Sequence, residues 1–172
     1  RGERFQLSGS GLTVEGAARV SSHFAGIRVY LNEEARKAIQ RSRSFVEELL
    51  QGDGQIYGVT TGFGRLAEVV IPSGEREALQ RNLVRSHSAG VGSPLSREEV
   101  RIIMLLRANA LARGHSGVRL SVVELILDFL NHGIHPRVPE AGSVGASGDL
   151  APLAHIALCL MGEGEVEWHE EV

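Results

Sequence analysis

Gly142-Ser143-Val144-Gly145-Ala146-Ser147-Gly148-Asp149-Leu150-Ala151-Pro152-Leu153 is a run of small residues that passes without a break into an apolar pattern. Glycines on both sides of Ala146-Ser147-Gly148 allow the backbone to close on itself. The apolar pattern predicts a helix from about Leu150 to Met161, with Asp149 as N-cap and Pro152 tolerated in the first turn. Such a helix would point its first free N–H groups, and the positive end of its dipole, back at the small residues. Taken alone, the run reads as a glycine-rich loop capping a helix.

Upstream, Pro136 and Pro139 predict an extended connection into the run. Ser121-Val122-Val123-Glu124 has the spacing of a capping box, opening a helix that ends at His132-Gly133, and Ser96-Arg97-Glu98-Glu99 opens another that stops at Gly114. Ser73 and Gly74 open a helix through about Ser88. Asn32 is a plausible N-cap for a helix in which Ala35, Ala38, Ile39, Phe45, Val46, Leu49 and Leu50 fall largely on one face, ended by Gly52-Asp53-Gly54. Arg4–Leu7 and Ile27–Tyr30 alternate in the manner of strands, with Gly9-Ser10-Gly11 as a turn between them. Gly162-Glu163-Gly164 closes the last helix and leaves an acidic tail, in which Trp168-His169-Glu170-Glu171 looks frayed. The pattern predicts one mainly α domain over residues 1–172, with little, short β-structure. Ile102-Ile103-Met104-Leu105-Leu106 and Leu125-Ile126-Leu127 make two of the helices apolar on more than one face, as expected inside something larger.

Composition narrows the classes. The 172 residues suit a single domain, 42% hydrophobic content suits a packed core, and 5% aromatic content suggests an aliphatic one. A formal charge of −3 with dispersed Lys and Arg gives no field for nucleic acid. No apolar run approaches the ~20 residues of a membrane span, and no secretory segment opens the chain. The lone Cys159 excludes an internal disulfide, fits a reducing compartment and a cytoplasmic location, and reads as a packing residue. His132 and His135 are three apart near Glu140, but no cysteine stands in metal-ligand spacing, so no metal is expected, and His132 reads as a helix-end cap. His155 either packs beneath whatever Ala146–Gly148 forms or fills the core, and the core is the simpler of the two. No strand–Gly-x-Gly-x-x-Gly–helix order marks a dinucleotide site.

Three segments, taken together, resemble the aromatic amino-acid ammonia-lyases, and most closely the histidine ammonia-lyases. They are Tyr57-Gly58-Val59-Thr60-Thr61-Gly62-Phe63-Gly64, Gln80-Arg81-Asn82-Leu83-Val84-Arg85-Ser86-His87-Ser88-Ala89-Gly90-Val91-Gly92, and Gly142 to Leu153. The likeness runs from about Leu12 to Met161. It implies the N-terminal helical domain of the ammonia-lyase/fumarase-like superfamily, without the long C-terminal helix bundle. Because the family's members are much longer and this chain begins at Arg1, a truncated or cleaved piece is expected, inactive alone.

Eliminating ammonia from an α-amino acid requires loss of a β-proton that no carbonyl acidifies. Ordinary side chains offer no good electron sink, so one must be borrowed or built. The resemblance implies that it is built here, as a methylidene-imidazolone made autocatalytically from Ala146-Ser147-Gly148, with no external cofactor. The residue types suit that chemistry: Gly148 offers an unhindered amide nitrogen, Ala146 a reachable carbonyl carbon, and Ser147 a β-hydroxyl to lose. By the same resemblance Tyr57 is the catalytic base and His87 contacts the substrate's imidazole, giving trans-urocanate from L-histidine in a homotetramer. Two positions depart from the histidine pattern. Thr60 stands where Asn is more usual and is similar to the phenylalanine and tyrosine lyases, while Ser88 replaces a more usual Ala. A tyrosine or phenylalanine ammonia-lyase or aminomutase is therefore an alternative, and a non-catalytic helical assembly piece is another.

Overall fold

The computed structural model describes residues 2–22, 26–52, 54–142 and 150–168. Ala146, Ser147 and Gly148, and the proposed N-cap Asp149, lie outside the described residues. The two alternating segments form strands, Glu3–Leu7 (β1) and Ile27–Leu31 (β2), paired in parallel with Glu3 opposite Ile27 and Leu7 opposite Leu31. Parallel neighbours need a crossover, and it is a helix that the sequence pattern does not announce, Val14–Ser22 (α1). Glycine and two serines dilute its periodicity. Its start is held by Thr13, whose hydroxyl accepts the Gly16 N–H at 3.1 Å, and its Ala17 and Val20 reach the core.

Asn32 caps the next helix, Glu33–Leu49 (α2), by accepting the Ala35 N–H at 2.8 Å. Its buried face is narrower than expected: Ala35 and Ile39 are buried, whereas Phe45 is exposed. A short 3₁₀ turn, Ser73–Glu75, leads into Arg76–His87 (α3). Val91–Pro94 (β3) precedes Arg97–Ala112 (α4), which opens on a reciprocal capping box. Ser96 Oγ accepts the Glu99 N–H at 3.3 Å, and Glu99 accepts the Ser96 N–H at 2.8 Å. The second expected box is not made. Leu120–Asn131 (α5) starts one residue before Ser121, after Arg119, and Glu124 pairs with Arg36 of α2 instead of turning back to the helix start.

The proline-containing connection forms Ile134–Pro136 (β4) and Pro139–Ala141 (β5), and Leu150–Leu160 (α6) follows the glycine-rich run. β3 pairs antiparallel with β5. The tail is not frayed throughout, because Val166–Trp168 (β6) pairs antiparallel with β4, setting Trp168 opposite Ile134; residues 169–172 lie outside the described residues. Among the described residues no helix is long and apolar enough to cross a membrane.

The core gathers around α4. Val100, Met104, Leu105 and Ala108 pack against Val20 of α1, Val123 and Leu130 of α5, and Leu7 and Val29 of the sheet, all buried. Each fully buried aliphatic side chain contributes about 1.5–3 kcal/mol. Asn131, at the end of α5, grips β2 with both ends of its amide: Oδ1 accepts the Val29 N–H at 2.8 Å and Nδ2 donates to the Val29 carbonyl at 2.9 Å.

The same α4 carries a charge into this core. Arg101 is buried, and its guanidinium donates to the Val20 carbonyl (3.1 Å) and the Leu130 carbonyl (2.9 Å). Both carbonyls lie in the last turns of their helices, where backbone acceptors lack intrahelical donors and the dipole is negative. Arg101→Met keeps the aliphatic bulk but strips these donors. At about 1–3 kcal/mol for each buried carbonyl left unsatisfied, we expect a loss of roughly 2–6 kcal/mol, read as a lower urea midpoint. An unchanged midpoint would show that the two carbonyls find other donors.

Candidate functional site

Tyr57 sits in a tight turn built on one acceptor. The Ile56 carbonyl receives the N–H groups of Val59, Thr60 and Thr61 at 3.0, 2.9 and 3.3 Å. Thr60 is buried and its hydroxyl is spent inside the loop, accepting the Ile56 N–H at 2.8 Å and donating to the Gly54 carbonyl at 2.9 Å. The residue that departs from the histidine-type pattern thus holds the turn together. The Tyr57 ring meets Phe63 edge-on, with centroids 5.9 Å apart, and its Oη accepts the Gly64 N–H at 3.3 Å. These contacts orient the phenol while leaving it 63% exposed. The loop touches α3 where Gln80 Nε2 approaches the Gly58 carbonyl at 3.5 Å.

His87 is the last residue of α3 and is half-buried. Its Nδ1 lies 2.8 Å from the Leu83 carbonyl and 3.2 Å from Ser86 Oγ. A carbonyl only accepts, so Nδ1 carries the proton and donates; in the neutral ring this leaves Nε2 as a lone-pair acceptor. Ser88, the other departure from the pattern, donates its hydroxyl to the Val84 carbonyl at 2.8 Å and so closes the helix end.

His87 faces a cavity of about 430 Å³ between α3, α4, α5 and α6. Its walls are aliphatic, with Leu111, Ile126, Leu150 and Ala154 among them, and the polar side chains that reach it are His87, Arg107 and Ser116. Leu150 is the first residue of α6 and comes directly after the glycine-rich run. His87 and the first residue after that run thus line one cavity. The structure does not bring Tyr57 there: Tyr57 is not among the cavity's lining residues, and its loop meets α3 at Gln80, seven residues before His87 and so about 10 Å away along the helix.

The last turn of α3 is also joined to the chain just past α6. Arg85 grips Glu163, just past α6, through two parallel contacts of 2.7 and 2.8 Å. Hydrogen bonding from Arg85 holds the Glu163 carboxyl below the ordinary carboxylate range.

Sequence reasoning missed the joint on the other side of α6. His155 is not in the core. It is half-buried, and its Nε2 accepts the Gly90 N–H at 3.1 Å. Gly90 in turn touches Gly142: a Cβ added to Gly142 would come 2.8 Å from Gly90 Cα and 3.1 Å from Ala151 Cβ. Gly142, just before the 143–149 segment, and Ala151, the second residue after it, thus stand against each other. The available signal was His155 itself, the sole polar side chain in the apolar helix Leu150–Leu160. Elsewhere, His132 Nδ1 lies 2.9 Å from the Asp128 carbonyl at the end of α5, and Cys159 is buried, which pushes its thiol pKa up. Among the described residues no group of three or more His, Cys, Asp or Glu side chains is placed to hold a metal ion.

Residues 12–172 match the family model described as aromatic amino acid lyase. The chain is 47% identical over 163 residues to a histidine ammonia-lyase of Alkaliphilus oremlandii, covering 95% of this chain and 32% of that protein. Among solved structures it resembles a histidine ammonia-lyase from Trypanosoma cruzi (TM-score 0.86, 38% identity, 96% of this chain and 31% of that one). It also resembles a tyrosine aminomutase from Streptomyces globisporus (TM-score 0.87, 42% identity, 95% and 30%). The chain spans about a third of the length of the curated relatives it matches. With that model covering most of its length and the solved relatives sharing its fold, this chain belongs to the aromatic amino acid lyase family.

Proposed function

We propose that this chain carries part of the active site of a histidine-type ammonia-lyase, which releases ammonia from L-histidine and leaves trans-urocanate. The observation that carries it is the shared cavity of His87 and Leu150. A histidine whose Nε2 is free to accept suits the N–H of a substrate imidazole, and it faces the point where Ala146-Ser147-Gly148 runs into α6. In this assignment His87 binds and orients the substrate ring. The aliphatic walls exclude water and hold the substrate's side chain, and Tyr57 takes the β-proton on its phenol oxygen. As that C–H bond breaks, its electron pair becomes the Cα–Cβ double bond and the C–N pair departs with ammonia.

The residues at the run suit a methylidene-imidazolone. Gly142 lies against both Gly90 and Ala151, so the chain before and after the run is close together, which suits a segment that must close on itself, and the three residues supply the nitrogen, carbonyl and hydroxyl that the ring needs. Once formed, it supplies the electron acceptor that activates the amino group for departure. Tyr57 reaches the cavity only if its loop lies closer to α6 in the whole enzyme, which we take to be a cytoplasmic homotetramer. The exposed apolar side chains of Phe45, Leu106 and Trp168 support burial against further chain. On this reading the 172 residues alone do not turn over substrate.

A tyrosine aminomutase reading draws support from the 42% identity to the Streptomyces globisporus enzyme. Thr60 does not add to it, since its hydroxyl is engaged within the loop. Product analysis separates the two: a lyase yields ammonia and an alkene, whereas a mutase yields a β-amino acid.

In the full-length protein, the peptide spanning Ala146–Gly148 should weigh two water molecules less than its sequence requires. Ser147→Ala should restore one of those waters or both and abolish ammonia release, and a variant with undiminished turnover would end the proposal. His87→Phe should cut kcat/KM for histidine by about 5- to 150-fold, the loss expected for about 1–3 kcal/mol of an unpaired buried polar group. Steady-state assay of urocanate formation reads the effect.

A further inference from the structure

We propose that His155 is a positioning residue for the glycine-rich run: through Gly90 it holds Gly142, which precedes segment 143–149, against the first turn of the helix that follows it. The inference rests on the functional assignment above only for its effect on ring formation; the clamp itself stands on described geometry.

Three contacts make the clamp. His155, in the second turn of α6, accepts the Gly90 N–H at 3.1 Å. Gly90 lies in the link between α3 and β3, so this bond fastens that link to the helix. The backbone of Gly90 then leaves room for nothing larger than hydrogen at Gly142, where a Cβ would lie 2.8 Å from Gly90 Cα and 3.1 Å from Ala151 Cβ. Gly90 is equally confined, since a Cβ there would come 3.1 Å from His155 Nε2 and 3.1 Å from Pro139 Cβ. The antiparallel pairing of β3 with β5, irregular between Val91 and Pro94, sets Val91 opposite Ala141 beside the joint. The chain before the run is thereby held at Gly142 against Ala151 in the helix after it, with His155 anchoring Gly90 to that helix.

The chemistry of His155 suits a standing acceptor. Partial burial lowers its pKa below the ordinary histidine value, so the ring is neutral near pH 7 and Nε2 keeps its lone pair for Gly90. Its ring lines a separate cavity, beside Arg137, Cys159, Glu163 and Glu165, and not the one that holds His87. It therefore acts on the site through the backbone and touches no substrate in the cavity facing His87.

A ring closure that joins a nitrogen to a carbonyl two residues away depends on how often those atoms meet. Holding the chain before and after the segment close together raises that frequency, as it does for any intramolecular reaction. The experiment compares His155→Leu, which fills similar space with no acceptor, with His155→Gln, whose amide oxygen reaches about as far as Nε2. Both are made in the full-length protein and checked for an unchanged assembly state. We expect His155→Leu to take up deuterium faster in peptides covering 88–92 and 141–151, and to show at least a fivefold smaller fraction of the two-water mass deficit. Its kcat should fall in proportion, with KM for histidine unchanged because His87 is untouched, and His155→Gln should restore all three. Equal deuterium uptake in His155→Leu and the parent would overturn the clamp. Normal mass deficit in His155→Leu despite faster exchange would overturn its part in ring formation, as would failure of the glutamine to rescue. A parent protein lacking the mass deficit would instead refute the functional assignment, while the exchange comparison would still decide the clamp.

Discussion

Arg101 sets the frame on which everything else is hung. A guanidinium inside an aliphatic core is costly unless its donors are used, and here they are used on the negative ends of two helices, at Val20 and Leu130. α1 and α5 both pack on α4, and this one side chain ties the last turn of each to it. β4 follows shortly after the end of α5. The β4–β5 connection carries the chain to Gly142, and α6 packs against α5 and α3. The cavity that His87 and Leu150 share is walled by these same helices, α4 and α5 among them.

The candidate site lies at helix ends. His87 closes α3, Leu150 opens α6, and the link between them is made by backbone at Gly90 and Gly142. Helix termini are where backbone groups remain available and where a change of direction costs little. Contacts made by main chain demand glycine where atoms touch, as at Gly142 against Gly90, and the His155 side chain adds the one acceptor that fastens Gly90 to α6.

Much of this was legible in the residues because the signals were local. Asn32 and the Ser96–Glu99 pair mark helix starts through bonds spanning three residues, and both are made. The failures follow from non-local effects. Ser121-Val122-Val123-Glu124 has the spacing of a cap, yet Glu124 finds Arg36 across the fold and the helix begins earlier. α1 went unseen because Gly16, Ser21 and Ser22 obscure its apolar face, and its helical state depends on docking against α4. β6 looked like a solvated tail because its partner, β4, is thirty residues distant in sequence, on the order of what local patterns cannot reach. Within the site, His87 could be singled out from its motif, whereas the His155–Gly90 bond spans 65 residues and left no trace except a histidine in an otherwise apolar helix.

The two-handed grip of Asn131 on Val29 has a further effect. A sheet of two strands ordinarily offers its outer margins to any extended segment that drifts past, and such margins seed aggregation. Here the amide satisfies a main-chain donor and acceptor on the open side of β2, and so mimics an additional strand by a single residue. A stray peptide would have to displace this internal mimic before it could add itself, so the fold guards this edge of its parallel sheet against self-association without using charge or proline.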